Sequence, residues 1–237
     1  MDYTEKKLRR LNTYEGIIVN VGLDRVRLPD GSEAFREIVE HPGGACILPV
    51  DGEGNAYCVR QYRYPIGEHL LEAPAGKLER GEDPLVCASR ELGEETGFTA
   101  GRIVPLGAYH SSPGFSSERL YLYLALDLSR GEAHPDEGEF LDLVKLPFSE
   151  LLAMVRRGEV SDGKTAIAVL QAAHILEGEY DLRFFPRYDK IAMYLWAKGD
   201  KSPGCASGGV NTWKDIESEA ATACTAKWRS AARRMRR

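Results

Sequence analysis

The sequence of 237 residues contains only five cysteines and no long apolar run. The cysteines are scattered, without a CxxC pair or a histidine at ligand spacing, which disfavours a disulfide framework and a zinc site and indicates reduced thiols. No uninterrupted apolar segment reaches the roughly 18 residues that a transmembrane helix needs. The basic residues near the N-terminus are not followed by the apolar core of a secretory signal. These absences predict a cytoplasmic protein that does not span a membrane.

The charge balance disfavours nucleic acid as a partner. The chain has 31 basic and 36 acidic residues and a formal net charge of −5, whereas a nucleic-acid platform carries an excess of Lys and Arg. The 43% hydrophobic and 28% charged content is that of an ordinary globular chain and excludes collagen and a mostly disordered protein. If an acidic body of this kind handles an anionic substrate, something must neutralise the charge locally, and a bound metal is the obvious candidate.

The order of apolar and turn-forming residues divides the chain into three parts. The first, up to about Pro74, is rich in strand signals, and its β-branched run Gly16–Val21 predicts a strand. In the second part, Leu120–Leu128 alternates with period two and predicts a strand that places five leucines on one face. Further along, a strand is predicted at Phe140–Leu146 and helices at Phe148–Arg157 and Lys164–Leu176.

The third part, residues 199–237, has a different composition. Ser202–Gly209 is rich in Gly and Ser and is typical of a linker. Lys227–Arg237 holds six basic residues and no acidic one. We therefore expect a basic tail that is flexible or forms a short isolated helix, and its charge is the only hint of contact with nucleic acid.

A group of carboxylates lies on one predicted helix. Asp83 followed by Pro84 is typical of a helix start, because Asp caps the first N–H groups and Pro is tolerated at the first helical position. On a helix that begins there, Glu91, Glu94 and Glu95 have the spacing i, i+3 and i+4. All three side chains therefore project from one face within one turn.

Such a cluster is costly unless a cation lies between its members. Like charges at this spacing repel by roughly a few tenths of a kcal/mol per pair, and carboxylates in the C-terminal half of a helix also oppose its dipole. A divalent cation relieves both effects, and ligands that are all oxygen favour Mg²⁺, for which Mn²⁺ can substitute. From these residues alone, the alternative is a solvated acidic helix face.

A longer pattern around the helix overturns that alternative. It fixes seven residue identities and two residue classes in the order Gly76-x5-Glu82-x7-Arg90-Glu91-Leu92-x-Glu94-Glu95-x-Gly97-Phe98. With each identity near the roughly 7% frequency of a common residue, a chance match in the chain is on the order of one in ten million. Residues 76–98 resemble, without a departure, the signature box of the Nudix hydrolases. That family cleaves nucleoside diphosphates linked to another moiety, with divalent metal held by the glutamates of the box.

The resemblance implies a fold and a domain organisation. The expected fold class is α/β, a Nudix-type α/β/α sandwich around a mixed sheet with an N-terminal strand-rich subdomain. We expect a dimerising β subdomain at residues 1–42, a Nudix hydrolase domain at 43–198, and a linker and basic tail at 199–237. The resemblance itself covers roughly residues 12–198.

The resemblance also implies roles for the residues of the box. Glu91 and Glu95 would be the main metal ligands, with Glu94 beside them. The backbone carbonyl of Ala75, just before the box glycine, would be a further ligand. A structural role in the loop and helix is implied for Gly76, Glu82, Arg90 and Gly97, with Glu82 and Arg90 as an ion pair.

Residues outside the box point to one group within the family. Pro113 follows the end of the box by fifteen residues, and a proline there is similar to the ADP-ribose pyrophosphatase group, as are Gln61–Tyr64, Leu71–Gly76 and the pair Arg36 and Glu37. The resemblance implies a homodimer that hydrolyses ADP-ribose to AMP and ribose 5-phosphate. Two alternatives stay open. One is a pyrophosphatase for another nucleotide sugar, such as ADP-glucose or GDP-mannose, and the other is a non-catalytic nucleotide-sensing module.

Substrate contacts are expected from residues that flank the metal. Arg63 or Arg36 near the metal would bind phosphate oxygens that the cation leaves uncovered. Because the N-terminal strands of the family reach across a dimer, Arg36 could serve the partner's site, and a surface arginine is the alternative. Glu72 and Glu118 are candidates for hydrogen bonds to ribose hydroxyls. Further candidates lie in the loop Pro113, Gly114 and Phe115, for which a tight turn with a packed aromatic ring is the alternative.

The general base is the last role to fill, because hydrolysis needs an activated water. In the resembling group, a glutamate on a loop before a late strand completes the site, and His134–Glu139 occupies that place here. Glu137 and Glu139 are the candidates, one as base and one as further metal ligand, and Glu94 is a third catalytic candidate. An ordinary acidic loop is the alternative.

Overall fold

The N-terminal part of the protein is a separate antiparallel sheet. The structure is a computed structural model that describes residues 2–135 and 138–176. Three strands pair in the order β1-β2-β3. They are β1 (Lys6–Glu15), β2 (Asn20–Arg27) and β3 (Glu33–Glu40).

Two further sheets form the body of the molecule. A four-stranded sheet has the order β7-β4-β9-β8, in which β4 and β9 are parallel and the other neighbours are antiparallel. A three-stranded antiparallel sheet has the order β10-β5-β6. These strands are β4 (Gly44–Pro49), β5 (Asn55–Arg63), β6 (Glu68–Glu72), β7 (Ala75–Lys77), β8 (Phe98–His110), β9 (Arg119–Arg130) and β10 (Leu141–Pro147).

Three helices cover the two faces of the four-stranded sheet. They are α1 (Pro84–Thr96), α2 (Phe148–Arg156) and α3 (Gly163–Leu176). Since side chains alternate along a strand, Ala45 and Ile47 of β4 pack with α1, whereas Cys46 and Leu48 pack with α2 and α3. The mixed sheet therefore lies between two helical layers, and the predicted α/β/α sandwich is confirmed.

Helix α1 begins and ends where its local signals predicted. The side chain of Asp83 accepts a hydrogen bond of 2.8 Å from the Leu85 amide, and Pro84 is the first helical residue. Gly97 ends the helix with a φ of 72°, a left-handed conformation that glycine adopts without steric cost, and its N–H donates to the Gly93 carbonyl at 2.9 Å. These caps fix the length of the helix that carries the carboxylates.

The strand predicted at Gly16–Val21 is wrong over its first four residues. The Gly16 amide donates to the Val19 carbonyl at 3.0 Å, which makes Gly16–Val19 the turn between β1 and β2, whereas Asn20 and Val21 begin β2. Ile17 is fully exposed at the tip of this turn. The residues predicted as linker and basic tail, 199–237, lie outside the described residues, as does Glu137. Among the residues that the structure describes, no helix is long and apolar enough to cross a membrane.

Candidate active site

The carboxylates of α1 differ in burial. Glu91 and Glu95 are only 7% and 3% exposed, whereas Glu94 is half-buried. Glu91 and Glu95 lie one turn apart on the face that packs against β4 and β7. Charged side chains are almost never this buried unless they are paired or coordinate a metal. The burial of two adjacent glutamates therefore needs a compensating positive group.

Arg90 compensates part of this charge. Its Nη1 donates to Glu91 Oε1 at 2.7 Å and to Glu94 Oε2 at 2.8 Å, and its Nε donates to Glu82 Oε1 at 3.1 Å. The hydrogen bond from Arg90 also lowers the pKa of Glu82 below its ordinary value. Glu82 in turn accepts the amide of Glu79 at 2.9 Å. Arg90 thus joins the loop before α1 to the helix and holds two of the three cluster carboxylates.

The short strand β7 lies against the same face. The Ala75 amide donates to Glu95 Oε2 at 3.1 Å. Next to it, a Cβ added to Gly76 would overlap the Glu91 carboxylate. Glycine at this position therefore leaves the space beside its Cα to the carboxylate, which a larger residue would have to displace.

The electrostatics of the pair show that its negative charge is not fully compensated. Burial, followed by the charge of Glu91, raises the pKa of Glu95 from 4.5 to about 8, although the Ala75 amide acts in the opposite direction. Burial also raises the pKa of Glu91 despite the nearby Arg90. Perturbed carboxylates of this kind cluster at functional sites.

The donor set fits a divalent cation. Within residues 2–135 and 138–176, no three His, Cys, Asp or Glu side chains are already arranged to hold a metal ion. The hydrogen bonds explain why, because Arg90 holds Glu91 and Glu94 while the Ala75 amide holds Glu95. Two buried carboxylates with raised pKa values still provide the oxygen ligands that Mg²⁺ and Mn²⁺ prefer.

One residue of the late loop also acts on the pair. Glu139 is exposed, and its charge contributes to the raised pKa values of both Glu91 and Glu95. Glu139 therefore lies near the carboxylate cluster, although it follows Glu95 by more than forty residues in the sequence. The placement of its companion candidate, Glu137, is outside the described residues.

Arg63 and Glu72 come together on neighbouring strands. Arg63 ends β5 and Glu72 ends β6, and the guanidinium donates to both carboxylate oxygens, at 2.6 and 2.7 Å. Glu72 is 1% exposed, whereas the Arg63 side chain is 40% exposed. The positive charge of Arg63 offsets part of the rise in the pKa of Glu95, which places it near the cluster.

The other predicted substrate residues lie further along the surface. The loop with Pro113, Gly114 and Phe115 is exposed and is held against β3, because the Val39 amide donates to the Phe115 carbonyl at 2.7 Å. Glu118 lies 3.5 Å from the His41 ring. The structure thus brings this loop to the end of the N-terminal sheet.

Arg36 lies on β3 and is held within the N-terminal sheet. Its Nε and Nη2 donate to the two oxygens of Glu5 at 3.0 and 2.6 Å, and its Nη1 donates to the Phe35 carbonyl. The guanidinium is therefore occupied by its own subdomain rather than by a residue of the α1 cluster.

Sequence reasoning missed two residues that bind Glu72 and Ala73. Lys164, at the start of α3, donates to Glu72 Oε2 and to Asp162 Oδ1. Thr165 accepts the Ala73 amide at 2.7 Å. The one local signal is a charged residue in the first turn of an otherwise apolar helix, and it does not reveal a partner 92 positions away.

The site is therefore a helix with two buried carboxylates held against strand β7, with Arg90 and Arg63 nearby, and its oxygen donors fit a divalent cation. Comparisons with known proteins identify the family. The NUDIX domain model matches residues 40–167. The chain belongs to the NUDIX domain family.

Curated relatives extend the match beyond the box. The chain is 41% identical over 169 residues to "Methanol dehydrogenase activator" of Bacillus methanolicus, which covers 70% of this chain and 91% of the relative. It is 38% identical over 179 residues to "ADP-ribose pyrophosphatase" of Bacillus subtilis (strain 168), covering 74% and 97%. It is 35% identical over 170 residues to "GDP-mannose pyrophosphatase" of Yersinia pestis (strain Pestoides F), covering 65% and 78%.

A solved structure supports the fold. "Crystal structure of ADP compounds hydrolase" superposes with a TM-score of 0.65 at 20% sequence identity, covering 74% of this chain and 95% of that chain. At this identity the likeness concerns the fold alone.

Proposed function

We propose that the protein is a divalent-metal-dependent Nudix hydrolase that converts ADP-ribose and water to AMP and ribose 5-phosphate. The observation that carries the proposal is the burial of Glu91 and Glu95 side by side under the Ala75–Gly76 segment, with a pKa of about 8 for Glu95. The relatives named ADP-ribose pyrophosphatase, at 38–39% identity, support the substrate.

Glu91 and Glu95 would hold the cation, with Glu94, Glu139 and the Ala75 carbonyl as further ligands. When bound, Mg²⁺ supplies Lewis-acid polarisation of phosphate oxygens and lowers the pKa of a coordinated water. Because Glu139 already acts electrostatically on both buried glutamates, we assign it to the ligand set. Glu137 is then the candidate for the general base.

Arg63 is the candidate for binding the diphosphate. Its guanidinium is partly exposed near Glu95 and keeps donors beyond the two that Glu72 uses. A guanidinium binds phosphate oxygens with defined geometry. Phe115 and Glu118 stay candidates for the nucleoside, on the loop that reaches β3.

The experiment is a comparison of substrates. Purified protein is incubated with ADP-ribose, ADP-glucose, GDP-mannose and NADH, with Mg²⁺ or with EDTA, and nucleoside monophosphate is quantified. We expect AMP from ADP-ribose at the highest rate and no product in EDTA. A preference for GDP-mannose would retain the chemistry and overturn the substrate. No turnover by folded protein on any compound would favour the nucleotide-sensing alternative.

A second candidate function comes from the relative at 41% identity, which is named an activator of methanol dehydrogenase. By that likeness, the chain would act on a dehydrogenase. NADH contains the same diphosphate linkage as ADP-ribose, so hydrolysis of NADH in the same panel, together with faster turnover of an added alcohol dehydrogenase, would favour this candidate.

The homodimer and its boundaries are part of the proposal. The end of β1 exposes Tyr14, the turn between β1 and β2 exposes Ile17 and Ile18, and β3 exposes Phe35. Exposed apolar groups of this kind support an interface between copies of the chain, with residues 1–42 as the dimerising subdomain and 43–198 as the hydrolase domain. A cytoplasmic location is supported by the unpaired, buried thiols of Cys46, Cys58 and Cys87.

A further inference from the structure

The buried carboxylate of Glu72 lies between two positive groups from distant parts of the chain. Arg63 binds both of its oxygens from β5, and Lys164 binds Oε2 from the first turn of α3. Lys164 is itself largely buried, with 13% of its side chain exposed. With 1% exposure and both oxygens occupied, Glu72 is placed to hold other residues rather than to meet a ligand.

The start of α3 holds the backbone of the same segment. Thr165 accepts the Ala73 amide at 2.7 Å, and Asp162 accepts the Thr165 amide at 3.0 Å and the Lys164 ammonium, also at 3.0 Å. From the opposite side, the Ile47 amide donates to the Pro74 carbonyl at 2.8 Å. Helix α3 and strand β4 together therefore fix the segment from Glu72 to Ala75. The amide of Ala75, at the end of this segment, donates to Glu95.

We propose that Lys164 is a positioning residue for Arg63, because it holds and neutralises Glu72 so that the guanidinium keeps one orientation and its charge stays available to a diphosphate. This inference rests on the proposed function, which it deepens by naming how the phosphate-binding arginine is held. Without Lys164, the Arg63 charge is cancelled by Glu72 and the carboxylate loses one of its two anchors. A buried carboxylate that loses one of its two positive partners reorients, and Arg63, which binds both of its oxygens, moves with it.

The test is a double-mutant cycle on kcat and KM for ADP-ribose. Lys164→Met keeps the length of the apolar stem and removes the ammonium. We expect a rise in KM and a fall in kcat/KM of about 10- to 100-fold, the size of effect that a misplacement of about 1 Å produces. In the Arg63→Gln background, the same substitution is expected to change kcat/KM less than about twofold, since coupled residues are not additive.

A matched control is Lys145→Met. Lys145 forms ion pairs with Asp51 and Glu53 on another part of the surface, so its removal is expected to leave kcat/KM unchanged. Thermal unfolding of each variant shows whether it is folded. If Lys164→Met lowers kcat/KM by the same factor with and without Arg63, Lys164 acts independently and the positioning role is overturned.

Two further measurements cover the remaining outcomes. If Lys164→Met does not fold, the substitution is made in the Glu72→Gln background, so that both buried charges are absent. There it is expected to lower kcat/KM by less than about twofold. A tenfold loss would overturn the proposal. Should the wild type hydrolyse no ADP-ribose, the proposed function fails, and crystal structures decide the positioning role: Arg63 leaves its wild-type position in Lys164→Met if the inference holds and stays there if it does not.

Discussion

Two buried carboxylates, Asp24 in the N-terminal sheet and Glu95 on helix α1, have pKa values that are shifted in opposite directions. In the N-terminal sheet, Asp24 is 1% exposed and is bound by Arg10 at 2.5 and 3.0 Å and by Lys7 at 2.9 Å. The hydrogen bond from Arg10 lowers the pKa of Asp24 to about 2. On helix α1, Glu95 is 3% exposed, and its side chain accepts a hydrogen bond from one backbone amide. Burial raises the pKa of Glu95 to about 8.

The difference separates a structural carboxylate from a functional one. Asp24 has its positive partners within the fold and needs nothing more. Glu95 is buried beside Glu91 with little positive compensation, so its charged form is favoured only when a ligand supplies positive charge, and without one a proton neutralises it. Glu72, which is bound by Arg63 and Lys164, belongs with Asp24 in this respect.

Replacement of Glu95 is expected to have the largest effect on activity. Glu95→Gln keeps the size of the side chain and removes the charge that we propose binds the cation. We expect kcat for ADP-ribose to fall by on the order of 10²–10³-fold or more, as when one preorganised electrostatic group is lost. Steady-state kinetics at saturating Mg²⁺ measures this. Asp24→Asn is the matched control, and an equal loss in both variants would contradict the distinction.

Gly76→Ala tests the position of the Glu91 carboxylate by steric displacement, without a change of charge. The new methyl group would overlap the Glu91 carboxylate and must displace it. We expect kcat/KM to fall by about 10- to 100-fold. The control is Gly52→Ala, where a Cβ meets nothing within 4 Å. Wild-type activity in Gly76→Ala would show that the position of Glu91 is unimportant.

The contributions of Glu95 and Asp24 to the free energy of unfolding should change in opposite directions as the pH rises. The pKa of Glu95 is raised from 4.5 to about 8, so its protonated form stabilises the fold below pH 4.5 and that stability is lost as pH rises towards 8. The pKa of Asp24 is lowered from 3.8 to about 2, so its contribution is present above pH 3.8 and is lost as pH falls through 2.

Urea unfolding of the protein in EDTA, as a function of pH, measures these changes in the free energy of unfolding. Relative to wild type, Glu95→Gln should gain on the order of 2 kcal/mol between pH 5 and pH 8, because each unit of pKa shift carries about 1.4 kcal/mol and coupled carboxylates share the effect. Asp24→Asn should be less stable than wild type at neutral pH, by an amount that shrinks towards pH 2. Parallel curves for wild type and Glu95→Gln would contradict the raised pKa.

Substitutions at the exposed turn between β1 and β2 are expected to have the smallest effect on the free energy of unfolding. Ile17 and Ile18 are exposed at the turn between β1 and β2, so the double substitution to Ser should change monomer stability by less than about 0.5 kcal/mol. If a second copy covers this surface, the same variant should lower the mass measured by light scattering from dimer to monomer. A wild-type protein that is already monomeric would overturn the proposed interface.

Local signals predicted the helix of the site but not the contacts around it. Asp83, Pro84 and Gly97 define α1 by themselves, and the prediction is confirmed. By contrast, β1 is polar and forms through pairing with β2, so its sequence gives no apolar alternation. The β-branched run Gly16–Val21 suggested a strand, yet a hydrogen bond from the Gly16 amide to the Val19 carbonyl makes its first four residues a turn.

The environment of Glu72 could not be predicted for a related reason. A glutamate near the box is chemically able to bind ribose, and only the fold shows that Lys164, 92 positions away, occupies it. The burial that raises the pKa of Glu95 is equally a tertiary property, because the residues that exclude water come from β4 and β7. Residue types and spacing indicate the chemistry, whereas the distribution of compensated and uncompensated charge depends on packing.

The most direct test is a titration of metal-free protein with Mn²⁺ at pH 7, with free Mn²⁺ followed by electron paramagnetic resonance and proton release followed by calorimetry in two buffers. If Glu95 is a buried ligand with a pKa of about 8, the wild type binds Mn²⁺ and releases a proton. Glu95→Gln should bind at least tenfold more weakly without that release, and Asp24→Asn should behave as wild type. Equal Mn²⁺ affinity in wild type and Glu95→Gln would contradict the assignment of this pair as the metal site.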